Sequence, residues 1–335
     1  MSDGSLALVT GAAGFIGSHM VDLLLDQGYR VNAVDNLASG RWENLEHRKS
    51  NPDLTAETRD LRDLSPGDPV FQDVEYVFHF AGMGDIVPSI ERPADYISAN
   101  VMGTVHALEA ARHAGVKKFV YVASSSCYGL ATELPTTEQA TIDTQYPYAL
   151  SKFMGEQAVL HWGKVYSLPV ISIRLFNAYG PRSRTSGAYG SVFGVFLAQK
   201  LADQPFTVVG DGSQTRDFLF VTDVARAFLM AAESPRTDEI YNLGAGQPQS
   251  VRRLVELLGG EVVYLPKRPG EPECTWADIT KIRRHLGWEA QVSFEEGVAV
   301  MLENIDYWRE APVWDPTSIQ AATETWFGSL SKVSG

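Results

Sequence analysis

The first half of the chain alternates between short apolar runs and longer stretches whose apolar residues recur at helical spacing. Leu6-Ala7-Leu8-Val9-Thr10 is the first apolar run, and a helical pattern follows from Ser18 to Gln27. Tyr29 to Asp35 reads as a second strand, a third candidate precedes Asp60-Leu61, and Val74 to Gly82 is a fourth. Further on, a helix is expected from about Ala99 to His113, a strand over Lys118–Val122, a helix from Tyr148 to about His161, and a strand over Pro169–Asn177. Strands and helices alternating at this spacing predict an α/β fold with a doubly wound parallel sheet, and ligands at the carboxyl ends of its strands. Beyond Phe176 the pattern changes to loops, short strands and isolated helices, among them a helix at 191–203, a strand at Phe206–Val209 and a turn at Gly210-Asp211-Gly212. Two regions are therefore expected, 1–176 and a smaller mixed region 177–335, with the chain crossing back into the first. The Trp-rich tail (Trp308, Trp314, Trp326) is expected to be a helix folded back onto the body in a structural role.

With 44% hydrophobic and 21% charged residues in 335, the chain can bury a sizeable core, and no repeat or disordered tract interrupts it. The net charge of −13 argues against nucleic acid or an anionic membrane as partner, although it leaves room for a local phosphate pocket. Two cysteines, Cys127 and Cys274, supply neither a disulfide framework nor a metal set, which suits a reducing cytoplasm. No apolar run approaches the ~18 residues of a membrane span. Metal is not expected.

Candidate chemistry begins at Gly11-Ala12-Ala13-Gly14-Phe15-Ile16-Gly17, set between the first strand and the first helix. Gly11 permits the tight turn, Gly14 lets backbone approach a pyrophosphate, and Gly17 allows close helix–strand packing. Phosphate charge then meets the N–H groups at the helix start. Asp35 ends the second strand about twenty residues on, where a carboxylate can hold both adenosine ribose hydroxyls and repel a 2′-phosphate, favouring NAD. A solvated strand-end Asp is the plainer reading, and Arg41 nearby weakens the preference. Asp60 and Leu61 are placed at the adenine edge, and Phe80-Ala81-Gly82 ends the fourth strand in small residues that leave room for cofactor. His79, inside an apolar run, reads as a packed core histidine. Ser124 lies at the end of the strand 118–122, and Tyr148 and Lys152 are one helical turn apart. A phenol beside an ammonium is expected to ionise below its usual ~10, toward neutrality. Taken alone, Tyr-x-x-x-Lys recurs by chance in chains of this size. Arg216, Lys267 and Arg268 sit in loops of the second region, where they either meet a diphosphate or simply face solvent.

Several motifs recur together: Thr10–His19, Val34-Asp35-Asn36-Leu37, His79–Gly82, Asn100-Val101-Met102-Gly103-Thr104, Tyr148–Lys152, Arg174-Leu175-Phe176-Asn177, Gly210–Phe218, Asp223-Val224-Ala225, Tyr241-Asn242-Leu243-Gly244 and Arg268-Pro269-Gly270-Glu271. In this order, up to about Glu303, the chain resembles the extended short-chain dehydrogenases/reductases, specifically their nucleotide-sugar epimerases and dehydratases. The resemblance implies a Rossmann domain holding NAD on Gly11, Gly14, Phe15, Ile16, Gly17, Asp35, Asn36, Asp60, Leu61, Phe80, Ala81, Gly82, Asn100, Tyr148 and Lys152. It implies Tyr148 as base, Ser124 beside it on the sugar 4-hydroxyl, and Lys152 on the nicotinamide ribose. Asn177, Arg216 and Arg268 would hold the nucleotide diphosphate, Glu271 the nucleoside ribose, and Phe206 would stack on the base. It also suggests a homodimer paired through the helices near 100–113 and 148–163.

Within that family, 4,6-dehydratases carry Asp-Glu directly after the catalytic hydroxyl, and decarboxylases keep the Glu. Here the two positions are Ser125 and Ser126. Losing a general acid or base removes roughly 10²–10⁴-fold of catalysis each, so elimination is disfavoured and 4-epimerisation through a transient 4-keto sugar is expected. Ser124, Ser125 and Ser126 then form a small sugar pocket. Thr275 replaces the Tyr usual in glucose-restricted relatives, which predicts room for an N-acetyl group at C2. A UDP-hexose or UDP-N-acetylhexosamine is the expected substrate. An epimerase at another centre, a UDP-glucuronate 4-epimerase, a 4-keto reductase and a non-catalytic nucleotide sensor are the alternatives. Three departures from the family bear on the sugar: Met83-Gly84-Asp85 in place of a Leu-Lys pair, Tyr146-Pro147 in place of Ser-Pro, and Arg182–Gly187, which could accept a carboxylate.

Overall fold

The structure, a computed structural model, describes residues 4–183, 192–267 and 271–330, with backbone alone described at 323 and 325–330. Its central sheet contains β1 (Leu6–Thr10), β2 (Arg30–Asp35), β3 (Leu54–Thr58), β4 (Val74–His79), β5 (Lys118–Ser124), β6 (Val170–Leu175) and a last strand, Glu239–Leu243. All pairs are parallel, and the order across the sheet is Glu239–Leu243, β6, β5, β4, β1, β2, β3. The last strand comes from the second half of the sequence, so the chain returns to the sheet. The direction of winding reverses between β1 and β4. That reversal opens a crevice outside the carboxyl ends of the strands.

Helices cover both faces of the sheet, which is why β1 and β6 are buried along their whole length and read as continuous apolar runs. On one face α1 (Phe15–Asp26) buries Met20, Val21 and Leu24 against the sheet, beside the helix Val221–Glu233. Along the chain there follow α2 (Ile86–Glu91), α3 (Pro93–Ile97), α4 (Gly103–Ala114) and α5 (Pro147–Tyr166). The opposite face is covered by Ala107, Leu108, Ala110 and Ala111 of α4 with Val159 of α5. The helix expected at 99–113 opens with a π-helical turn, Ser98–Met102, before it becomes α4.

The strand expected over Pro169–Asn177 is two elements. β6 stops at Leu175, and Ala178 N–H donates back to Phe176 O (2.9 Å), turning the chain out of the sheet. Asn177–Tyr179 then pairs in parallel with Phe218–Phe220. Around this pair a second core gathers Phe193, Phe196, Phe206, Phe294 and the fully buried Trp308. The final helix, Pro316–Leu330, packs on α2 and buries Ile319, so the tail does fold back onto the body. Among the described residues no helix is long and apolar enough to cross a membrane.

Candidate active site

The crevice holds a cavity of about 780 Å³ that runs from the β1–α1 turn, past the ends of β2 and β4, to Ser124, Tyr148 and Lys152. At one end Gly11 adopts φ +67°, and a Cβ there would lie 2.7 Å from Ala81 N. A Cβ on Gly17 would lie 2.0 Å from Gly11 O. Glycine is therefore required at both positions, for the turn and for the helix–strand approach. Gly14 caps α1 without a side-chain bond, leaving the helix's first N–H groups facing the cavity as an anion cradle. Asp35 Oδ2 accepts from Ala13 N–H (3.0 Å) and Oδ1 from Leu37 N–H (2.7 Å), which ties the second strand's end to the glycine turn. Burial pushes the Asp35 carboxyl upward while these two N–H groups oppose the rise. Arg41 packs over the Tyr307 ring at 4.1 Å. Asn36 donates to Asp60 Oδ2 (2.8 Å), and the Arg62 guanidinium holds the Asp60 carboxyl far below the usual carboxylate range.

At the other end Ser124, Tyr148 and Lys152 line the cavity together. Ser124 N-caps a short 3₁₀ turn, Ser125–Tyr128, its hydroxyl accepting from Ser126 N–H (3.2 Å). Pro147 at the first turn of α5 fixes where that helix begins. α5 is pinned to β6 by the buried Glu156–Arg174 pair (2.6 Å), with Ser172 also donating to Glu156 (2.9 Å).

The electrostatics depart from expectation. Lys152 Nζ lies 4.4 Å from the centre of the Tyr121 ring, and burial lowers its pKa to about 7. Burial also raises the Tyr148 phenol, and the group opposing that rise is the Ser124 hydroxyl. Desolvation sets the direction, so the expected fall toward neutrality is not the direction found in the protein alone. His79 is a core histidine, bonded to Thr10 (2.7 Å) and Thr104 (2.9 Å), with burial lowering its pKa to about 3.

Other expected site residues fall elsewhere. Asn100 is 1% exposed and spends its amide on Met83 N–H (2.6 Å), Met83 O (3.0 Å) and Ser151 (2.8 Å). It pins the loop after β4, with its Oδ1 against Gly82 of the cavity wall. Phe206 is 1% exposed and stacked on Phe196 at 5.0 Å. Both faces of its ring are inside the second core, so it offers no platform to a base. Ser125 and Ser126, both half-buried, follow Ser124 in the 3₁₀ turn. Asn177, Thr275, Arg216 and Glu271 form two contacts: Thr275 Oγ1 donates to Asn177 Oδ1 (2.7 Å), and Arg216 pairs with Glu271 (3.0 Å). Arg182 pairs with Asp22 of α1 (2.7 Å) and lines the same cavity as Ser124. Arg268 and residues 184–187 lie outside the described residues. The sequence reading missed Tyr146, whose ring stacks on Tyr148 (6.4 Å, 7°), and Tyr307, which caps Arg41. The unusual Tyr146-Pro147 was the signal for the first, and nothing marked the second. Among the described residues no cluster of metal-ligating side chains occurs.

The glycine cradle, the strand-end carboxylate and the apolar floor fit a dinucleotide, and the fold and site define a Rossmann nucleotide-binding protein of the extended short-chain dehydrogenase/reductase type. The chain belongs to the NAD dependent epimerase/dehydratase family, whose profile matches residues 7–244, and its cofactor is NAD. It is 37% identical over 312 residues to a UDP-glucose 4-epimerase of Mycolicibacterium smegmatis, covering 88% of this chain and 97% of that one. A UDP-N-acetylglucosamine 4-epimerase of Methanobrevibacter ruminantium, solved with UDP-N-acetylmuramic acid, superposes with a TM-score of 0.86 at 30% identity, over 91% of this chain and 99% of that one. A UDP-glucuronic acid 4-epimerase of Bacillus cereus, solved with UDP-glucuronic acid and NAD, gives 0.83 at 30% identity, over 90% and 99%.

Proposed function

We propose that this protein is a nucleoside-diphosphate-sugar 4-epimerase acting on a UDP-hexose or UDP-N-acetylhexosamine. The observation that carries this reading is that Ser124, Tyr148 and Lys152 line one cavity next to a turn, Ser125–Tyr128, that holds no carboxylate. NAD bound along the glycine cradle supplies the acceptor and the source of the C4 hydride. Tyr148 takes the 4-hydroxyl proton at its phenolic oxygen, and Ser124 orients that oxygen and the sugar's. Once the 4-keto sugar has turned over in the pocket, the hydride would return to the other face of C4, and Tyr148 gives its proton back to the 4-oxygen. No redox change remains. Lys152, poised near neutrality, serves the nicotinamide ribose.

Arg216 and Asn177 hold the diphosphate, with Glu271 giving up Arg216 to reach the nucleoside ribose. Thr275, its hydroxyl turned to Asn177, leaves the space a larger side chain would fill, which supports acceptance of a C2 N-acetyl group. Met102, Leu150 and Met154 are 47%, 42% and 38% exposed on the π turn before α4 and on α5, and this apolar strip supports a homodimer through those helices. Free Cys127 and Cys274 fit a cytoplasmic setting.

Proton NMR of C4 inversion over a panel of UDP-, GDP-, dTDP- and CDP-sugars tests the reading. Inversion without added NADH is expected, whereas turnover only with stoichiometric NADH marks a 4-keto reductase and replaces it. Turnover of UDP-glucose with none of UDP-N-acetylglucosamine refutes the pocket-size argument. Light scattering that gives a monomer refutes the dimer.

A further inference from the structure

Two neighbouring aromatic residues near the end of the chain serve different parts of the molecule. Ile305–Trp308 is a 3₁₀ turn, in which successive side chains point about 120° apart. Trp308 is fully buried in the second core, while Tyr307 is turned to the cofactor cavity, whose wall it shares with Arg41, Asn44 and Arg182. A phenol has one proton to give, and the Tyr307 hydroxyl lies 3.2 Å from both Asn44 Oδ1 and Arg182 O. Asn44 donates in turn to Ala13 O (2.8 Å) in the glycine turn, and Arg41 N–H donates to the same oxygen (3.0 Å). The Arg41 guanidinium stands over the Tyr307 ring at 4.1 Å, with its Nε 3.5 Å from Asn44 Oδ1. One side chain thus joins three stretches far apart in sequence: the residues after β2, the turn at Arg182, and the tail. Tyr307 lies beyond residues 7–244, which the family profile matches.

We infer that Tyr307 is a clasp on the cofactor site: a positioning residue that holds Arg41 and Asn44 in the cavity wall and so slows the escape of NAD. Arg41 is exposed, and a long cationic side chain left free in water samples many rotamers. The negative face of the phenol ring gives its guanidinium one preferred place, on the wall beside the anion cradle. Asn44 meanwhile bridges the Tyr307 hydroxyl to Ala13, whose N–H is already bonded to Asp35. Strand-end carboxylate, glycine turn and tail are therefore linked by one run of hydrogen bonds. Trp308, seated in the second core, keeps the turn that presents Tyr307 from drifting away. The inference goes beyond the proposed reaction, since it concerns the cofactor and holds whichever sugar is turned over. A cycle with no net redox change gives the clasp its use, because such a cofactor has no reason to leave between turnovers.

The test loads the wild-type protein and its variants with radiolabelled NAD, adds excess unlabelled NAD and follows the label lost from the protein by rapid filtration. Y307F keeps the ring and gives up both hydrogen bonds, and its rate of NAD loss is expected to rise about threefold. Y307L gives up the ring as well and should lose NAD about tenfold faster than wild type. R41M should quicken the loss about threefold on its own. Because Tyr307 acts partly through Arg41, the double variant Y307L/R41M should fall short of the product of the two single effects. Thermal melts without cofactor separate this role from a purely structural one, which lowers Tm in Y307L and leaves NAD loss at the wild-type rate. That result, or wild-type rates in both Y307F and Y307L, overturns the inference, and effects that multiply in the double variant overturn the route through Arg41. A wild-type protein that inverts no sugar defeats the epimerase reading, while the rates of NAD loss still judge the clasp.

Discussion

Replacing Arg174 by Met tests what holds α5 in place. The guanidinium gives Nε to both Glu156 oxygens (3.2 and 3.0 Å), Nη2 to Oε1 (2.6 Å), and Nη1 to the Tyr128 phenol (2.8 Å) and Glu138 O (3.1 Å). The two side chains are only 4% and 1% exposed. Without it, Glu156 is left in the interior with the Ser172 hydroxyl as its remaining side-chain hydrogen bond among the described residues. Breaking one side of a buried pair typically costs about 3–5 kcal/mol, most of it the orphaned charge. R174M should therefore lose about that much in urea unfolding, with an unchanged denaturant slope. The double variant E156Q/R174M, which removes the charge as well, should recover most of the loss. Because α5 carries Tyr148 and Lys152, the surviving folded R174M should also show a reduced kcat. A cost under about 1 kcal/mol, or a double variant as unstable as the single one, would refute the view that this ion pair anchors the helix.

Three further outcomes follow from the site. G17A places a Cβ 2.0 Å from Gly11 O, a backbone atom that cannot yield without opening the turn, and calorimetry should show NAD binding weakened by at least about tenfold. With R216M the diphosphate loses a charge-assisted partner worth about 1.5–3 kcal/mol, so KM for the nucleotide sugar should rise about tenfold to a hundredfold with kcat little changed; an unaltered KM removes Arg216 from the binding scheme. Burial lowers Lys152 from 10.5 to about 7, so between those values the unfolded chain binds the additional proton and stability rises with pH. Melts of the protein without cofactor should therefore gain Tm from pH 7 to 9 relative to K152M, and parallel curves would refute the shift.

Much of the molecule could be read from the chain because the signals are local. Each apolar run from Leu6 to Leu175 is short, flanked by turn residues and followed by a helical repeat, and a parallel sheet buried on both faces needs nothing else. The glycines at 11, 14 and 17 and the Tyr148–Lys152 spacing are likewise local, since a turn and one helical step bring their groups to one place. Where the reading failed, the deciding interaction came from far along the chain. Phe206 sits in a strand-like tetrad either way, and only Phe196 and Gly260 packed against it show that its ring is enclosed. Asn100 carries a polar amide toward the site, but Met83 and Ser151 have claimed it.

The sequence alone determined the doubly wound fold, the dinucleotide cradle, and which hydroxyl, phenol and amine share the end of β5. Backbone geometry dictates these within a few residues of chain. Tertiary structure decided the protonation balance there, because desolvation depends on which distant residues exclude water, and it stacked Tyr146 on Tyr148. Burial is a property of packing, which no spacing along a chain encodes.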